Sequence, residues 1–164
     1  MVLQLKSVFM GDISSIPIDT ELDFSTLEWQ GVCPFAKPVK VHGNVTQSAD
    51  VVRLSATVEY TYDGECDRCA EPMSDNRSFK MEHILVTAVD NEDKEDFLVI
   101  ENFELPLDEL VQTDLLLNLP MKNLCKPDCK GLCPMCGQNL NQGLCGCQHD
   151  VVDPRLEILK QFIN

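Results

Sequence analysis

A chain of 164 residues, 44% of them apolar, can fold around one core of ordinary size or build a domain with a small appendage, and it is too apolar to be disordered. Its 13 basic and 27 acidic residues leave a net charge of −14, which argues against a nucleic-acid grip made of many phosphate contacts. No stretch approaches the roughly 20 apolar residues of a membrane span, and residues 1–6 lack the basic and apolar pattern of a secretion signal. The expected compartment is therefore cytoplasmic, where thiols stay reduced and clustered cysteines bind metal more often than they bridge.

From the amino terminus, residues 2–10 alternate loosely and predict a strand. Ser14-Ser15-Ile16-Pro17 reads as a break, and 18–24 mixes acids with Ile18, Leu22 and Phe24. Trp29-Gln30-Gly31 and Pro34 mark a loop that carries Cys33 without a partner. Residues 39–45 alternate with period two, and 51–60 do so more strongly, with Val52, Leu54, Ala56, Val58 and Tyr60 on one face. With 46–50 as a turn, these form an antiparallel pair. Tyr62-Asp63-Gly64 is expected to turn the chain into Cys66-Asp67-Arg68-Cys69, a knuckle at the end of that pair.

Residues 79–87 predict the next strand, with Phe79, Met81, His83 and Leu85 alternating, so His83 reads as a strand residue and not a ligand. Residues 90–114 hold ten acids against Lys94 alone. That run is a solvated loop and helix face or, read more sharply, a surface for a basic partner. Residues 97–100 make a short apolar strand. A helix over 106–120 follows, its stripe of Leu107, Leu110, Val111, Asp114 and Leu117 apolar apart from Asp114. Acids in its first turn suit the helix dipole, and Pro120 ends it.

Six of the nine cysteines then fall within 125–147, at spacings of loops and not of a packed helix or strand. In Cys133-Pro-Met-Cys136-Gly137 the two intervening residues let both sulfurs face one ion from a tight turn, and Gly137 supplies the positive φ that turns the chain away. Cys145-Gly-Cys147 offers a second pair, although a zinc ribbon usually carries two residues between these thiols. If Cys133, Cys136, Cys145 and Cys147 make one four-thiolate site, Cys125 and Cys129 are left over. They can complete a second site with Cys66 and Cys69, since a pair cannot close a tetrahedron. Arg68, Lys122, Lys126 and Lys130 could offset the formal −2 charge of such a site and form a locally basic patch. The competing reading of Cys66 and Cys69 is a thioredoxin-like redox pair, which wants a helix start that Ala-Glu-Pro-Met does not provide. His149 is a conceivable substitute ligand. Asp153-Pro154 starts a closing helix whose stripe is Leu156, Leu159 and Phe162.

There is no phosphate-cradling glycine loop, no nucleophile elbow and no His-Glu-x-x-His helix, and the three histidines are scattered, so the sites read as closed, structural zinc and the chain as no enzyme. The expected class is α+β: a mainly antiparallel sheet or partial barrel with one or two short helices and a carboxy-terminal zinc-knuckle or ribbon segment. Domain bounds are expected at 1–120 for the β-rich part with its helix at 106–119, 121–150 for the cysteine-rich part and 151–164 for the last helix.

Several of these motifs, in this order, resemble the YceD-like family of large ribosomal RNA accumulation proteins. They are Cys66-Asp67-Arg68-Cys69 after a strand, the helix ending Leu115-Leu116-Leu117-Asn118-Leu119-Pro120-Met121, Cys125-x3-Cys129-x-Gly-Leu-Cys133-x-x-Cys136-Gly137, Asn139-Leu140-Asn141, Cys145-x-Cys147 and Asp153-Pro154-Arg155-Leu156. The tail is similar to the Gram-positive, Clostridia-like version, and some members lack the segment from Cys133 to Cys147 but keep the pair at Cys66 and Cys69. The resemblance implies a cytoplasmic role in accumulation of large-subunit ribosomal RNA. The partner expected on that basis is a ribosome-assembly intermediate, met by the acidic face on a basic ribosomal protein or by the lysine-bearing knuckle on large-subunit rRNA; neither a membrane nor a small-molecule substrate is expected. The alternative is a thiol-based redox-sensing zinc protein or chaperone, because neighbouring Cys-x-Cys and Cys-x-x-Cys motifs can release zinc and form disulfides on oxidation.

Overall fold

The computed structural model describes residues 1–88 and 97–147. The expected closing helix, His149 and much of the acidic loop before residue 97 lie outside the described residues. In chain order the elements are β1 (Val2–Gln4), α1 (Lys6–Phe9), β2 (Ser15–Leu22), β3 (Val39–Ser48), β4 (Val51–Glu65), β5 (Pro72–Val86), β6 (Phe97–Val99), β7 (Glu104–Pro106) and α2 (Leu107–Leu117). They are mostly β with two short helices, the class the sequence predicts. Two compact units divide them: one of Met1–Gly64 with Met73–Met121, the other of Glu65–Pro72 with the chain from Lys122 on.

The first unit holds a five-stranded sheet in the order β2-β3-β4-β5-β6 and a two-stranded sheet of β1 and β7. The β2-β3 and β3-β4 pairs are antiparallel, and β6 lies parallel to β5, so the sheet is mixed at that edge. The period-two face of β4 is the centre of the core. Leu54 and Val58 are wholly buried opposite Val45 and Val41 of β3, and Val52, Ala56 and Tyr60 are nearly so. α2 adds Leu107, Val111 and Leu115, all fully buried; each such Leu or Val contributes roughly 1.5–3 kcal/mol by leaving water.

Several local expectations are corrected. The first strand ends at Gln4, and α1 follows. Leu5 and Val8, three apart, are both fully buried, which a helical turn achieves and an alternating strand cannot. The break at Ser14–Pro17 is instead the start of β2, with Pro17 paired opposite Asn44. β2 is an edge strand, where a residue lacking an N–H is tolerated, and Ile16, Ile18 and Leu22 then alternate inward. Tyr62-Asp63-Gly64 is not a turn, because β4 runs on to Glu65. Tyr62 is buried, edge-to-face with Phe35 and capped by the Arg77 guanidinium 4.6 Å from its ring centre, and the Asp63 N–H donates to the Pro34 carbonyl at 2.9 Å. Those contacts outweigh the turn propensity of Asp and Gly. Correspondingly β5 begins at Pro72, before the first clear alternation.

α2 stops at Leu117, short of Pro120. The Asn118 backbone N–H and side-chain Nδ2 both donate to the Asp114 carbonyl, at 2.9 and 2.8 Å, and the residue before a proline disfavours helix. Leu117, expected in the buried stripe, is 76% exposed.

Candidate metal centres

Two turns in the second unit share one construction. In 66–71 the Ala70 N–H donates to the Cys66 carbonyl at 2.8 Å, the Cys66 N–H donates to the Glu71 carbonyl at 2.9 Å, and Ala70 has φ +55°. In 133–138 the Gly137 N–H donates to the Cys133 carbonyl at 2.8 Å, the Cys133 N–H donates to the Gln138 carbonyl at 2.8 Å, and Gly137 has φ +74°. Each turn therefore needs a left-handed residue straight after its second cysteine. Glycine adopts that conformation freely, and an alanine does so at a cost of about 1–2 kcal/mol.

Hydrogen bonds tie the first turn to the tail within this unit. Asp67 exchanges two bonds with Asn123, its N–H donating to the carbonyl at 2.8 Å and its Oδ2 accepting from the N–H at 2.6 Å. Arg68 accepts at its carbonyl from the Leu132 N–H and donates from Nη1 to the Cys129 carbonyl at 2.9 Å. Glu71 Oε1 accepts from Asn139 Nδ2 and Gln142 Nε2. Gly131, at φ +77°, lies so close to the Arg68 carbonyl that an added Cβ would sit 3.0 Å from that oxygen.

These connections bring the eight cysteines singled out by spacing into two groups of four. Cys66, Cys69, Cys125 and Cys129 form one, and Cys133, Cys136, Cys145 and Cys147 the other, with every sulfur in a group within 4.8 Å of its fellows. Among the described residues no other set of Cys, His, Asp or Glu side chains gathers in this way. Cys33 is exposed and belongs to neither. His83 sits on β5, its Nε2 2.6 Å from Asp114 Oδ2, and is no part of a cluster.

The spacing of the sulfurs fits a shared ion. Cys66 and Cys129 Sγ are 3.8 Å apart, and Cys69 and Cys125 Sγ 3.7 Å. Four metal–sulfur bonds of about 2.3 Å arranged tetrahedrally have edges of about 3.8 Å, whereas a disulfide holds its sulfurs at about 2.05 Å. Both groups could thus hold a metal ion with four thiolates.

Polar groups aim at the sulfurs. Asn141 Nδ2 donates to Cys129 Sγ at 3.3 Å while its Oδ1 accepts from the Lys130 N–H, and the Met135 N–H points at Cys133 Sγ from 3.4 Å. The backbone N–H of Cys125 is the largest influence bringing the Cys66 thiol down to about 6, against burial. At Cys133 burial pushes up, and the N–H groups of Cys136 and Met135 with neighbouring thiols bring it to about 6. Desolvation and the adjacent thiols drive Cys125 up to about 12, and the Cys136 thiol followed by burial does the same to Cys147. Crowded sulfurs resist ionising together, and a dication among them reverses that preference. Spacing alone did not single out Asp67, Asn123 and Asn141 as supports; the signal available was the run of Asn139 and Asn141, short amides suited to turning back on the chain.

The two groups differ in cover. Cys66, Cys69 and Cys129 are buried with only Cys125 exposed, whereas in the second group Cys133 alone is buried. Lys122, Lys126 and Lys130, which flank Cys125 and Cys129 in sequence, are exposed.

The family described as large ribosomal RNA subunit accumulation protein YceD matches residues 54–163. The chain belongs to this family. Relatives described as uncharacterized proteins, one of Mycobacterium bovis and others of Mycobacterium tuberculosis strains, are 30% identical over 125 residues, which is 73% of this chain and 59% of theirs. The chain thus spans less than two thirds of the length of those relatives. No solved structure matches it. No described helix is long and apolar enough to cross a membrane.

Proposed function

We propose that this YceD-family chain is a non-enzymatic zinc-binding factor that supports accumulation of large-subunit ribosomal RNA during ribosome assembly in the cytoplasm. The observation that carries the reading is the pair of four-cysteine groups, each with its sulfurs within 4.8 Å and the first with two sulfur pairs at tetrahedral edge spacing, in a family described by large-rRNA accumulation. All-thiolate tetrahedral sets suit zinc, and four protein ligands leave no open position for a reacting water, so both ions are structural. One would join Cys66 and Cys69 to Cys125 and Cys129, and the other would close Cys133, Cys136, Cys145 and Cys147. The working parts are then a β-rich body that holds the sheet and a zinc segment built from Glu65–Pro72 and the chain from Lys122 on. The partner is an assembly intermediate, met through a basic ribosomal protein or a local rRNA contact of Lys122, Lys126 and Lys130.

Sucrose-gradient profiles and precursor rRNA of a deletion strain test this. Complementation by the parent chain, and failure of Cys129→Ser to complement, is the expected result; large-subunit particles unchanged by deletion would overturn it. The exposure of Cys136 favours a second reading, a redox-sensing zinc protein that releases its outer ion on oxidation. Counting thiols before and after mild peroxide separates the two, since a structural site keeps its zinc and its thiolates.

A further inference from the structure

The first unit has an apolar groove at the β6 end of the sheet. A cavity of 580 Å³ lies among β1, β6, β7 and α2. Val2 and Val99, which line it, are 55% and 45% exposed, Leu98 and Leu110 are half-buried, and Leu105 at its base is part of the core. Glu101, Glu104 and Glu109, all exposed, also line it, and among the described residues neither lysine nor arginine does. The turn beside it is held in place. Asn102 and Phe103 take left-handed φ of 53° and 60°, the Leu5 N–H donates to the Phe103 carbonyl at 2.8 Å, and the Phe103 ring packs on Phe9 at 5.6 Å. The groove is therefore preformed, which lowers the ordering cost of binding.

We infer that this groove docks a basic segment of a partner protein, with an apolar side chain laid against Val99 and Leu110 and flanking lysines or arginines set against the three glutamates. Charge decides among occupants. A second copy would bring a net −14 to a net −14 and place acids against acids. A nucleic-acid backbone would meet the same carboxylates with its phosphates. A metal ion would need the carboxylates gathered closely, and among the described residues only the cysteines gather so. A cationic segment with apolar anchors satisfies both features, and the exposed glutamates would steer it in a salt-dependent way. That such a segment belongs to a ribosomal protein rests on the proposed function; the groove itself does not.

The test uses the full chain with its metal and two short fluorescent peptides of equal charge, one alternating lysine with leucine, the other lysine with serine. In anisotropy titrations the leucine peptide should bind at least about tenfold more tightly, and the triple variant Glu101→Gln, Glu104→Gln, Glu109→Gln should lose about tenfold. A control triple, Asp12→Asn, Glu28→Gln, Glu82→Gln, changes net charge equally at exposed sites elsewhere and should stay within roughly twofold. Equal affinity of the two peptides, or equal loss in the two triples, overturns the docking groove. Because all of these chains keep their cysteines, gradient profiles of the Cys129→Ser strain judge the assembly role separately.

Discussion

Asp114 is the polar interruption in the stripe of α2, and His83 of β5 is what makes it tolerable there. The side chains are 27% and 14% exposed for His83 and Asp114, so removing one leaves the other short of a partner in a place where water compensates poorly. His83→Ala should lower unfolding free energy by about 1–3 kcal/mol in urea titrations, and Asp114→Ala added to it should cost less than it does alone. Additive losses would show that the pair is not coupled. Gly43 on β3 is a stricter case. A Cβ there would meet Ala56 of β4, 2.5 Å from its Cα and 2.7 Å from its Cβ, at the paired position in register. Gly43→Ala should cost about 3 kcal/mol or more, read as a fall in denaturation midpoint, because two backbones and not a flexible side chain must move. The sequence displayed Asp114 as an anomaly and Gly43 as a plain strand residue. Neither partner was legible, since His83 meets Asp114 only once α2 packs on β5, and Ala56 meets Gly43 only through the β3-β4 register.

At the scale of elements, the knuckles were legible because two thiolates two residues apart leave the backbone little choice of turn. The strands β2 and β4 were legible only in part. Pro17 and Gly64 argue for breaks locally, and what overrides them is an edge position in one case and the burial of Tyr62 in the other. The matched turns carry a prediction of their own. Gly137→Ala should destabilise the second unit by about 1–2 kcal/mol, whereas Ala70→Gly should be neutral or stabilising, because φ is already +55° at Ala70. Thermal melts of the metal-loaded chain check both, and an Ala70→Gly loss larger than the Gly137→Ala loss would contradict it. The cover of the two groups differs as well. With three of its cysteines buried, the Cys66 group should keep its ion longest. A chelator titration followed by mass should remove one ion first, with Cys136 and Cys145 becoming reactive to a thiol reagent before Cys66 and Cys129 do. Simultaneous loss would mean that burial does not govern exchange here.

For the whole molecule, the second unit is built from two stretches far apart in the chain, Glu65–Pro72 and the part from Lys122 on. Ligand arithmetic made that meeting readable before any coordinates: six clustered cysteines exceed one tetrahedron, and a distant pair is short of one. The groove beside β6 was not readable, because its residues come from four elements and their common surface exists only once those elements pack. Cysteine pairing also sets what should happen when the metal is withdrawn. The described residues of this unit add nothing to the main apolar core, so on chelation they should lose their fold, while the sheet built on Val41, Leu54 and Val58 remains. The most direct check of the central claim is elemental analysis with native mass of the chain purified without added metal or oxidant. Two zinc ions per chain are expected, falling to one in Cys129→Ser and to one in Cys133→Ser; a metal-free chain with free or bridged sulfurs would contradict the account.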